Sequence, residues 1–161
     1  MPVRKSAFAS ALLLIASTSL TYAAEKNYSG QNKEVQILSE LSAEAPGEPG
    51  HVIKQITETW KYVSPDPEFN GALGLAIEQQ DIVNGQINQH GYGMSRSTNG
   101  DETYFTFQSI GKLDGQKVSG SGTWTWTGGT GSFKGVKGGG TYNYNAGPGV
   151  PFSYEWSGKA M

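Results

Sequence analysis

Glu58 is the residue of this sequence best placed to do chemistry. At a period of two its neighbours are Val52, Ile56, Trp60 and Tyr62, so an extended backbone puts Glu58 on an apolar, aromatic face. A carboxyl group among such neighbours keeps its proton to higher pH and can act as a general acid or base. Arg96 is the candidate counter-ion. It shares a face with His90, Tyr92 and Met94, and no other arginine follows residue 23. A plainer arrangement uses the same residues: Glu58 at a barrel rim beside lysine or water, and Arg96 exposed next to the Asn99–Gly100 turn. A one-residue slip in strand register reverses every side chain, so both arrangements stay open.

Other chemistries find less support. The chain has no cysteine, which excludes disulfides, thiolate metal sites and thiol nucleophiles. Its two histidines, His51 and His90, lack a second ligand at zinc-like spacing. Glu78 to Asp81 could offer oxygen ligands to calcium, but no EF-hand loop surrounds them. Ser119-Gly120-Ser121-Gly122 does not sit in a nucleophile-elbow context. We therefore expect no metal and no cofactor.

The second set of functional candidates is aromatic. Trp60, Tyr92, Phe105 and Phe107 precede a dense group made of Trp124, Trp126, Tyr142, Tyr144, Phe152, Tyr154 and Trp156. They fall on alternating positions of extended segments. Such a set either fills a core or lines a cavity for one small ligand, since barrels of about eight strands do both. Large aromatic faces with a few hydroxyls suit a flat apolar molecule, and of this set all but Phe152 are candidate ligand-binding residues.

The elements that must position these residues are strands. From His51 the hydrophobic period is two. His51 to Tyr62, Ala72 to Ile77, Gln86 to Ser97, Glu102 to Gly111, Lys117 to Thr127, Gly139 to Asn145 and Phe152 to Gly158 read as extended segments. Asn99-Gly100 and Asp114-Gly115 are hairpin turn signals. Fourteen of the 23 glycines follow residue 110, as expected for bends and close backbone approach. Closure removes sheet edges. An all-β, antiparallel barrel of about seven to eight strands over residues 51–161 is the expected fold.

Upstream, Arg4 and Lys5 precede an uncharged, mostly apolar run from Ala7 to Leu20, with small residues before a cut after Ala23. Residues 1–23 are thus a signal peptide by pattern, too short in apolar length to span a bilayer. Periplasmic location or secretion is the expected destination, with no membrane span after cleavage. Cleavage leaves ten basic against fourteen acidic residues, a net charge of −4 that argues against nucleic acid. Residues 24–50 read as a flexible leader, with a brief helix at Glu34 to Leu41 as the alternative, ended by Ala45-Pro46-Gly47-Glu48-Pro49-Gly50.

The glycine-rich segment Gly128 to Tyr142 has no helix following it and no P-loop lysine, so a phosphate cradle is disfavoured. A tight corner, with Phe133 plugging one end of a barrel, fits better. The pattern GTG-x-F-x-G-x-x-G-x-G-x-Y after an aromatic strand resembles the barrel of allene oxide cyclases and plant dirigent proteins. It is closer still to bacterial secreted proteins with that barrel-like domain. The resemblance spans roughly residues 51–160 and is sharp only from Gly120 to Tyr144. It implies an eight-stranded antiparallel barrel with an apolar cavity, and dimers or trimers as in the plant relatives. The plant enzymes' catalytic residues have no motif-level match here, so the resemblance implies no activity.

Three functions follow as expectations. The first is an exported, non-catalytic barrel that binds a small apolar ligand. The second is a cyclase or isomerase that confines such a substrate, which requires Glu58 to face inward within reach of a hydroxyl or of Arg96. The third is a homo-oligomeric envelope interaction module that pairs through its outer strand faces.

Overall fold

The computed structural model describes residues 25–161, and the expected signal peptide at 1–23 lies outside them. Eight strands follow in order: β1 Lys26–Glu44, β2 His51–Val63, β3 Leu73–Val83, β4 Gln86–Arg96, β5 Glu102–Asp114, β6 Lys117–Gly129, β7 Gly138–Gly147 and β8 Val150–Ala160. Each pairs antiparallel with the next, and β8 returns to β1, so the sheet closes into one barrel. This is the eight-stranded antiparallel architecture that the resemblance implies.

Turn chemistry explains the simple order. β3 and β4 are joined by Asn84-Gly85, both at positive φ (49° and 81°), which matches the twist of the strands they join. Asn99-Gly100 and Gly115 fall in the β4–β5 and β5–β6 turns, as expected.

The expected leader is instead the first strand. Lys26 to Asn32 pair with Tyr154–Ala160 of β8, and Gln31 onward pairs with β2. Two register shifts, after Lys33 and after Ile37, break its alternation, and Glu34 adopts a φ of 54°. Beyond Val35 every residue of β1 is exposed. Bulges, and an outer half with no buried face, leave no sustained period of two to read, which is why the segment passes for a leader or a short helix.

Inside, large side chains on one strand cover small residues on its neighbour. The Trp60 indole lies over Gly74, and the Phe105 and Phe107 rings lie over Gly93 and Gly91. Tyr144 covers both Gly111 and Gly120. The glycines of the strands are thus recesses that receive aromatic rings across the barrel wall. One barrel end is stoppered by Phe69, from the β2–β3 loop, and by Phe133, from a single 3-10 turn at Gly131–Phe133. Their rings are 5.5 Å apart. Outside, Leu75 is paired with Met94 and Ile77 with Tyr92, giving β3 and β4 an apolar outer face.

Candidate functional site

The aromatic interior is not completely filled. A cavity inside the barrel is lined by Trp60, Trp124, Trp126 and Trp156, by Tyr62, Tyr142 and Tyr154, and by Phe69, Phe105 and Phe107. Asn32, Glu58, Ala76 and Ser95 complete the wall. It gives the centre of a water-sized sphere about 80 Å³ to occupy. That is room for about six waters, or for one small organic molecule. Phe105, Phe107 and Trp156 are only half-buried, because their faces border this open space.

Glu58 is 3% exposed and points inward. Strand parity puts it there with Ile56, Trp60 and Tyr62, all buried on the same side of β2. The Tyr154 hydroxyl donates to its Oε1 at 2.7 Å. Its Oε2 has no hydrogen-bond partner among the described residues. Burial pushes the carboxyl up to about 7, against the opposing pull of the Tyr154 hydrogen bond. Burial likewise drives the Tyr154 phenol far above its ordinary range, so it stays a proton donor to Glu58.

A second buried carboxylate lies behind the cavity. Glu78, 2% exposed, is paired with Ile56 on β2, two positions along from Glu58. Gln80 Nε2 donates to its Oε1 at 2.7 Å, and Gln89 Nε2 donates to its Oε2. Burial first, and the charge of Glu58 second, push Glu78 up to about 8, while the two glutamines pull it down. Ser109 Oγ donates onward to Gln89 Oε1 at 3.3 Å. Tyr62 and Ser95 share a buried hydroxyl contact at 2.7 Å, and burial lifts the Tyr62 phenol to about 12.

Four buried atoms of the lining lack partners among the described residues, Trp60 Nε1 being one of them. The others are Asn32 Oδ1, the Tyr142 hydroxyl and Trp156 Nε1. Buried polar atoms almost always find a partner, so each marks a place where water or a ligand completes the site.

Three sequence expectations are corrected. Arg96 does not face Glu58: its Nε and Nη2 donate to Glu102 Oε1 at 2.9 and 2.7 Å on the outer surface. Tyr92 is 72% exposed and is not a lining residue. His90, Tyr92 and Arg96 do share a face, but it is the outer one. β4 turns its small residues inward, Gly91, Gly93 and Ser95, because the β5 phenylalanines occupy the space in front of them. Tyr144 is buried but lies outside the cavity wall, over Gly111 and Gly120. Trp60, Phe105, Phe107, Trp124, Trp126, Tyr142, Tyr154 and Trp156 are brought together around the cavity. His51 sits between Glu48 and Asp81, at 2.6 and 2.7 Å, and clasps the β1–β2 turn to β3. Glu78 and Asp81 stand on opposite faces of β3 and do not converge.

Asn32, Phe69, Ala76 and Ser95 were not legible as site residues, nor was Glu78 as an interior acid. Glu78 carried a signal, since it continues the inward parity of Gly74 and Ala76. Phe69 had a weaker one, as the lone large apolar residue in a loop rich in proline and acid.

Site and fold together describe a closed eight-stranded antiparallel barrel around a small aromatic cavity. No protein-family model matches the chain, and no curated protein matches it. Among solved structures it is similar to one described as a pterocarpan synthase dirigent protein, at 14% identity and a TM-score of 0.48, covering 94% of this chain and 98% of that one.

Proposed function

We propose that this chain is an exported binding barrel that holds one small, flat, largely apolar molecule in its aromatic cavity and does no covalent chemistry on it. The observation that carries this reading is the open space itself. Ten aromatic side chains surround it, and none of them fills it. Apolar concave sites with a few polar groups are the usual form of small-molecule sites. The unpartnered Asn32, Tyr142 and Trp156 atoms would orient the guest. Export rests on the pattern of residues 1–23.

All four tryptophans of the chain line the cavity, so intrinsic fluorescence reports its occupancy. Titration with a panel of one-ring aromatics should give saturable quenching in the natural protein. The Ala76→Leu variant, which extends a buried lining residue into the space, should not respond. Equal responses in both proteins, or none in either, would sink the proposal.

A second reading, a cyclase or isomerase, is favoured by the Glu58–Tyr154 pair, a poised carboxyl with a hydroxyl in contact. It predicts that a bound compound is converted by the natural protein and recovered unchanged from Glu58→Gln. Unchanged recovery from both proteins leaves the binding reading alone.

A further inference from the structure

Resting on that binding reading, we infer that the cavity selects a small cationic amine, held between the Glu58 carboxylate and the faces of the surrounding tryptophans. Among the described residues Glu58 is the only charged residue in the lining, which holds no lysine, arginine or histidine. The cation that sequence parity had offered, Arg96, is spent on Glu102 outside the barrel. The walls therefore carry a carboxylate, four indoles and three phenols, with nothing positive to balance them.

That composition suits a cation in two ways. An ammonium over an indole or phenol face is attracted by the ring quadrupole, most strongly where water is excluded. An ammonium also brings donors and no acceptors. The lining offers it Glu58 Oε2, Asn32 Oδ1 and the Tyr142 hydroxyl oxygen, none of which accepts a hydrogen bond from protein. Asn32 and Tyr142 are only 7% and 6% exposed, so solvent at the surface does not serve them. An anion would meet a carboxylate and no counter-charge. A hydrocarbon would leave the buried acceptors unpartnered, which is costly. An ammonium leaves only the indole donors Trp60 Nε1 and Trp156 Nε1 to be met by water or by the rest of the guest.

The charge of the site is set by what faces Glu58. From β8 comes Tyr154, from β7 Tyr142, from β2 itself Tyr62, and from β3 Glu78, which Tyr144 of β7 approaches in turn. The phenols stay neutral because burial raises all four of them. Glu78 adds negative potential behind the wall when it ionises. With Glu58 near 7, an arriving cation holds the carboxylate ionised and expels its proton. Affinity for a cation therefore rises with pH across neutrality, and affinity for a neutral molecule of the same shape does not.

The test uses three one-ring probes of similar shape: benzylammonium, benzyl alcohol and benzoate. Calorimetry on the whole exported chain, in two buffers of different ionisation enthalpy, reads affinity and proton release together. Benzylammonium should bind about tenfold or more tighter than benzyl alcohol near pH ~8, the range expected of a desolvated cation–aromatic contact. It should release protons near pH ~7, and its advantage should shrink near pH ~5 and in Glu58→Gln. Benzoate should not bind. Equal or weaker binding of benzylammonium, or binding without proton release, overturns the inference. If benzyl alcohol still binds in that case, the binding barrel stands and only its ligand class is wrong. If none of the probes binds, the amine inference and the binding reading fail together.

Discussion

At the scale of single residues, the account turns on two carboxyl groups inside an aromatic barrel. Burial holds Glu58 near 7 and Glu78 near 8, against an ordinary value of 4.5. The folded chain therefore keeps protons that the unfolded chain gives up. The stability from this source is complete below about pH 4.5 and falls as pH rises towards 7–8. For Glu58 the loss is roughly 3 kcal/mol. Glu58→Gln keeps an acceptor for Tyr154 and removes the ionisation. Urea unfolding at pH ~8 should find the variant more stable by about 1–3 kcal/mol, with a flatter pH dependence. A variant less stable than the natural protein at that pH would mean that Glu58 is solvated in the folded state. That Glu58 shares a face with Ile56, Trp60 and Tyr62 was legible because parity along β2 is unbroken, but which way that face turns was not. Nor was its partner, because the residue that meets it, Tyr154, is 96 positions away and depends on how the barrel closes.

At the scale of elements, the pairing of large rings with facing glycines is what gives the wall its shape. Trp60 rests on Gly74 so closely that a methyl group there would overlap the indole. Gly74→Ala should cost on the order of 1–3 kcal/mol, as overpacking does, and should shift Trp60 into the cavity. Weakened probe binding alongside the lower urea midpoint would record both effects, and a neutral substitution would contradict the packing described. β1 makes a different point. Its exposed, bulged half hides its strand character, yet its first seven residues make every pair that joins it to β8. A chain limited to residues 51–161 would leave both β2 and β8 as open edges. We expect it to lack a cooperative thermal transition. A cooperative transition near that of the full chain would show that β1 is dispensable. Seven strands were readable from alternation and turn residues. The eighth was not, since nothing inside the barrel imposes a period on its outer half.

At the scale of the molecule, closure converts a set of alternating aromatics into the wall of an interior space. Alternation alone does not decide between a filled core and a cavity. That outcome depends on how ring volumes meet the glycine and alanine recesses across eight strands, which no local pattern contains. Here the rings close one end through Phe69 and Phe133 and leave a gap beside Glu58 and Ala76. The central claim is that this gap is occupied by a guest. Native mass spectrometry of the chain, gently purified from the host that makes it, tests that most directly. The expected result is a reproducible added mass of a small organic molecule that is absent from Ala76→Leu. The natural protein appearing only at its bare chain mass, or the same added mass on both proteins, would contradict it.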